Sequence, residues 1–239
     1  MKTASNKRIR VIAIIAATVM ASTLGAQFAE AAPVRYISIS SVGTVKVVPD
    51  AVRLNASVSA LSKVSKDALA TAGVAANKFR DALIANGIEK KYLQSTTLTV
   101  YPEYNYTQDV GNVLIGYRAN QSFEVVIRNA SKAGEIVDAV VAAAGDALYI
   151  NGVTPFVFDS TKAAEAARNE AVKSAKLKAK TYAKLLGVKI GKVIWLQESS
   201  APSPYPITMG AAKSDSGATQ IDLGQQDVSV SVATRWAIS

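Results

Sequence analysis

The stretch IGYRANQSFEVVIR, residues 115–128, carries the longest two-residue alternation in the chain. Ile115, Tyr117, Ala119, Phe123, Val125 and Ile127 face one way, and Arg118, Asn120, Ser122, Glu124 and Arg128 the other. Successive side chains of a strand project to opposite faces, so this segment is a β-strand with one buried and one wet face. Residues 52–60 repeat the pattern: Val52, Leu54, Ala56, Val58 and Ala60 are apolar, with Arg53, Asn55, Ser57 and Ser59 between them. Residues 37–48 show a weaker version. Pro49-Asp50 separates these two runs, and because Pro cannot donate to a ladder and Asp favours turns, a hairpin is expected there. Residues 93–104 are also strand-like and reach residues 115–128 through a polar hairpin connection, 108–112, that contains Gly111.

Three segments switch to the helical period. In residues 65–85, Leu69, Ala72, Ala76, Phe79 and Leu83 recur at three and four, and Asn86-Gly87 supplies the stop. Ser131 is expected to cap a second helix that runs to about Ala144 and closes at Gly145. Asp159 or Ser160 caps a third, which ends at Leu186 before Gly187. Residues 148–158 read as a more buried strand, 188–196 as a further strand and 228–238 as the last. The predicted order is ββαββαβαββ: an α+β fold, mostly antiparallel sheet with three helices packed against it. The connection 199–224 has no periodicity and holds Pro202, Pro204, Pro206, Gly210, Gly217 and Gly224, so it is expected to be mobile.

Composition narrows the chemistry. The 239 residues include 27 Lys+Arg and 18 Asp+Glu, but neither cysteine nor histidine. Disulfides, thiolate nucleophiles and thiolate metal sites are excluded, as are histidine bases and ligands. Residues 1–31 have the layout of a secretory signal, with Lys2, Lys7, Arg8 and Arg10 before an apolar run, and Ala29-Glu30-Ala31 before the expected cleavage. A retained membrane anchor is the competing reading. Removing residues 1–31 leaves 208 residues with 23 basic and 17 acidic side chains, a net of +6. An exported chain without cysteine must draw its stability from a core, and residues 32–239 are long enough to build one.

Motif searches find no Gly-x-Gly fingerprint, Walker loop, Gly-x-Ser-x-Gly elbow or Ser-x-x-Lys in the exported part. No catalytic residue, cofactor or metal site is assigned. A carboxylate-based hydrolase is the third-ranked function, because only folding could pair its acids. Two constellations remain. Lys173, Lys176, Lys180 and Lys184 lie on one face of the third helix, while Ala167, Ala171, Ala175, Ala179 and Leu186 line another. They form either a ridge for an anionic glycan or lipid or, as favoured, a solvated face over a close-packed seam. Tyr101, Tyr104 and Tyr106 can stack on sugars or anchor a protein interface, while Pro102 marks a sheet edge. A nucleic-acid partner is not expected, since aromatic interleaving is lacking.

Several stretches together resemble the SIMPL-like family of bacterial exported proteins. They are Ser41-Val42-Gly43-Thr44-Val45 with Val48-Pro49-Asp50-Ala51, Tyr101-Pro102-Glu103-Tyr104, and Gly116-Tyr117-Arg118-Ala119-Asn120-Gln121. Gly152-Val153, Phe156-Val157-Phe158-Asp159, the helix 171–187 and the strand 224–238 complete the match, while Ser41 departs from a common glycine. The resemblance implies a periplasmic or otherwise exported protein without agreed catalytic residues. Relatives are described as periplasmic immunogenic and oxidative stress defence proteins, and some form large ring-like oligomers. The expected function is therefore a non-enzymatic envelope protein that self-assembles, with strand 228–238 offered as a pairing edge. A monomeric module for an anionic envelope glycan or lipid is the alternative.

Overall fold

Alternation in residues 115–128 does produce a strand, one of eight strands and three α-helices among the described residues. They are β1 (Tyr36–Val47), β2 (Ala51–Ser62), α1 (Ser65–Ala85), β3 (Leu93–Thr107), β4 (Gly111–Ile127), α2 (Ala133–Ala144) and β5 (Leu148–Phe156), then α3 (Thr161–Leu185), β6 (Ile190–Glu198), β7 (Pro204–Pro206) and β8 (Gln226–Ile238). The structure is a computed structural model describing residues 34–198, 204–206 and 219–239. The signal assigned to residues 1–31 and most of the connection 199–224 lie outside the described residues. The chain divides into units Met1–Tyr36 and Ile37–Ser239, and the second holds the fold. The order of elements is the one read from the sequence, with β7 added.

The strands form two antiparallel sheets. One has the order β3-β4-β2-β5; the other has β8 between β1 and β6, with β7 also pairing with β8. Three contacts set the sense of β1 against β8: Ile39 meets Thr234, Thr44 meets Ser229 and Lys46 meets Asp227. As one strand advances the other retreats, so they are antiparallel. β6 pairs with the second half of β8 and β7 with the first, making one interrupted edge.

Four expectations change. β1 and β2 do not pair, because Pro49-Asp50 crosses between sheets instead of closing a hairpin. Asp50 is occupied there: its Oδ1 accepts the Phe158 amide at 2.7 Å and its carbonyl accepts the Ala130 amide. Strand 228–238 is interior, with neighbours on both sides, so it offers no free edge. β5 is an edge strand and only half-buried, not a buried one. Ser131 does not cap α2; it bonds Asn129 while Lys132 takes the cap position. At α3 the Asp159 carboxylate accepts the Thr161 amide at 2.9 Å, and Gly187 follows the helix with φ of 66°.

Each sheet carries helices on one face. α1 and α2 cover the β2-β4 sheet over a core that includes Val52, Leu54, Phe79, Phe123, Ile127 and Val140. Phe79 and Phe123 meet at 5.0 Å between ring centroids. The buried face of α1 uses Ala68 instead of Leu69, which is 42% exposed. α3 packs on the other sheet through Ala167, Ala171, Ala175 and Ala179, against Ile39, Val230, Val232 and Trp236. The seam is tight enough that a Cβ added to Gly43 of β1 would lie 2.0 Å from the Ala167 carbonyl. Part of the long connection is also held. Ile221 and Leu223 join the core, Thr219 donates its amide and hydroxyl to Asp138 of α2, and a Cβ on Gly134 would strike the Thr219 carbonyl.

Candidate functional site

β2 ends at Ser62 opposite Tyr117, so the β3-β4 hairpin projects beyond its neighbour. Period two then separates the tyrosines. Leu98, Val100, Pro102, Tyr104 and Tyr106 share one face of β3, the side on which the helices lie, while Tyr101 shares the opposite face with Thr97, Thr99 and Glu103. The helices cover β2 and β4 but leave this stripe open: Leu98 is 56%, Tyr104 56% and Tyr106 72% exposed. The sequence cluster is therefore two sites back to back, with Tyr104 and Tyr106 on an apolar stripe and Tyr101 on a polar face.

That polar face is the uncovered side of the β3-β4-β2-β5 sheet. Register sets Thr97, Ser122, Ser57 and Tyr149 in one row, Thr99, Asn120 and Ser59 in the next, and Tyr101 beside Arg118 in a third. Arg118 makes a two-pronged ion pair with Glu103 and donates to Ser59 Oγ at 3.2 Å. Hydrogen bonds from Arg118 hold the Glu103 carboxyl below the usual carboxylate range, and the same bonds raise Arg118. Toward the other end, Arg53 pairs with Glu124 at 3.3 Å. Asn151 of β5 donates to Ser57 Oγ at 3.1 Å, bracing the centre. No sequence motif announced this face, yet the alternation Arg53, Asn55, Ser57, Ser59 was its visible trace.

Lys173, Lys176, Lys180 and Lys184 all stand exposed on α3, away from its sheet. Lys173 pairs with Glu170 at 3.2 Å. Leu177, 67% exposed, sits among Lys173, Lys180 and Lys184 by helical spacing, and Leu185 and Leu186 are exposed at the helix end, so Leu186 does not continue the buried seam as expected, which stops at Ala183. Of three surface pockets, one has Glu89 in its lining and the other two have no carboxylate. Among the described residues, none of these three pockets brings two carboxylates together. Among the described residues no helix is long and apolar enough to cross a membrane.

Fold and surface together define an antiparallel α+β protein of two sheets, each layered by helix on one side, with its chemistry displayed on strands. The chain belongs to the SIMPL family, described as a protein of unknown function (DUF541), which matches residues 37–236. It is 30% identical over 210 residues to the 26 kDa periplasmic immunogenic protein of Brucella melitensis biotype 1, covering 82% of each chain. The protein of that name from Brucella abortus (strain S19) matches to the same extent. It is also 29% identical to the uncharacterized protein YggE of Edwardsiella ictaluri over 167 residues, 70% of this chain and 69% of that one.

Proposed function

We propose that this chain is a non-enzymatic exported protein of the cell envelope that self-assembles through the β3-β4 hairpin and supports envelope or oxidative-stress homeostasis. The observation that carries the assembly is the apolar stripe of Leu98, Val100, Pro102, Tyr104 and Tyr106, open along the edge strand β3. Contiguous apolar surface and unpaired strand edges are ordinarily covered by a partner. The periplasmic names of the Brucella relatives support the location. Light scattering coupled to size-exclusion chromatography tests the assembly. An oligomer that falls to monomer on replacing Leu98 and Tyr104 with lysine is expected; a monomer for the unaltered chain at micromolar concentration overturns it.

A second reading has its own support in Leu177, Leu185 and Leu186 beside the lysines of α3. Exposed leucine with cations suits an anionic lipid surface. Co-sedimentation with phosphatidylglycerol vesicles is its test: binding must disappear when Lys173, Lys176 and Lys180 become glutamate, and retention of binding rejects it.

A further inference from the structure

The uncovered face of the β3-β4-β2-β5 sheet has a composition that selects its partner. Its centre is Asn55, Ser59, Asn120 and Ser122, side chains that donate and accept hydrogen bonds without charge, with Ser57 buried between them and bonded to Asn151. Its four paired strands include no lysine, in a chain with 27 Lys+Arg. Both arginines on it, Arg53 and Arg118, are already matched by Glu124 and Glu103. An anion therefore meets no unmatched cation. An apolar ligand meets no large apolar side chain at the centre, and a protein partner meets serine where interface centres are depleted in it.

What remains is an uncharged ligand rich in hydroxyl and amide groups. Tyr149 on β5 and Tyr101 on β3 stand at the two outer strands, 52% and 45% exposed, and offer rings to stack against. Three inter-strand spacings separate their strands, about 14 Å, so a ligand touching both is an extended chain and not a single ring. Asn55 and Asn120 each carry a donor and an acceptor, the complement of an acetamido group.

We propose that this face binds an uncharged N-acetylated oligosaccharide laid across the strands between Tyr149 and Tyr101. The site is separate from the apolar stripe, which lies on the opposite side of the same sheet, so binding and assembly fail independently.

The test titrates the purified full chain with the hexamer of β-1,4-linked N-acetylglucosamine, followed by amide chemical shifts and calorimetry. Saturable binding is expected, with shifts confined to β2, β4 and the outer strands. The unacetylated glucose hexamer should bind about tenfold more weakly, the loss that accompanies one or two missing hydrogen bonds. Asn120→Ala and Tyr149→Ala should each weaken binding by a similar factor at unchanged melting temperature, while Tyr106→Ala on the opposite face leaves it intact. Absence of saturable binding at millimolar sugar, equal affinity for both hexamers, or binding indifferent to Asn120→Ala and Tyr149→Ala overturns the assignment.

Discussion

Replacing Gly43 by alanine adds one carbon where α3 crosses β1. That carbon would sit 2.0 Å from the Ala167 carbonyl oxygen and 2.4 Å from the Ala171 nitrogen, both backbone atoms of the helix. Backbone cannot rotate aside as a side chain can. To restore an ordinary contact near 3.4 Å the helix must retreat by about 1.4 Å, and a gap of even half that size forfeits much of the attraction between packed atoms. Ala164, Ala167, Ala171, Ala175, Ala179 and Ala183 line the buried side of α3, and their methyl groups are too short to follow the sheet as the helix lifts. Over-packing of this kind costs about 1–3 kcal/mol, which for a chain of this size lowers the melting temperature by roughly 3–10 °C. Left-handed backbone strain plays no part, since Gly43 is not among the glycines with positive φ, and the unfolded-chain entropy lost with the glycine, about 0.4–1 kcal/mol, offsets only part of the cost. Gly73→Ala is the control: the added carbon meets nothing within 4 Å inside α1, so the substitution should stabilise by about 0.4–1 kcal/mol. Circular dichroism melts of the two variants should move in opposite directions. A Gly43→Ala protein that melts at or above the unaltered chain refutes the close-contact account of the seam.

Four other outcomes follow from particular contacts. The Thr219 hydroxyl and amide hold the Asp138 carboxyl below its ordinary value, so their anchoring of segment 219–223 is complete above about pH 4 and is lost as pH falls further. Hydrogen exchange at residues 219–223 should accordingly be flat from pH 5 to 8 once corrected for intrinsic rates, and Asp138→Ala should abolish that protection. In Arg118→Met the Glu103 carboxyl loses its strongest partner, and its titration by carbon NMR should move up toward the ordinary glutamate value; an unmoved titration contradicts the pair. Phe123→Ala, at a 2% exposed site against Phe79, should cost about 3–5 kcal/mol in urea unfolding, and a cost under about 1 kcal/mol would place Phe123 outside the core. Self-association through the apolar stripe should strengthen in sodium sulfate, because excluded salts favour apolar burial, whereas weakening would assign it to ion pairs.

Much of this was visible in the sequence. Period two in residues 52–60 and 115–128 specified which side chains enter the core, and each apolar residue named in 52–60 is buried. Period two even contained the division of the tyrosines, since 101 is odd while 104 and 106 are even. Other features were hidden for identifiable reasons. Pro49-Asp50 is equally good chemistry for a hairpin and for a crossing between sheets, and only the tertiary bonds of Asp50 distinguish them. In α1 alanines do most of the packing, so a lone Leu69 pointed the periodic reading one residue away from the buried face. The Glu103–Arg118 pair depends on register, and β3 slips against β4 at Ser95/Thr97 and again at Glu103/Tyr104. Two stretches that carry the family resemblance, around Glu103 and around Arg118, meet only once the slip at Glu103/Tyr104, between them and the turn, is known.

Pro102 connects these points to how the hairpin meets a partner. It lies in the edge strand and has no amide to donate, so a second strand cannot continue a full ladder past it. Association along β3 must then draw on the faces of the strand more than on its edge. The face with Leu98, Val100, Tyr104 and Tyr106 has apolar area to bury, whereas the face with Thr97, Thr99 and Glu103 has hydrogen bonds to offer. On the proposed assembly and saccharide readings the same edge strand gives opposite surfaces to opposite kinds of contact, and Pro102 limits the third kind, strand addition, that would otherwise make so exposed an edge prone to unregulated aggregation.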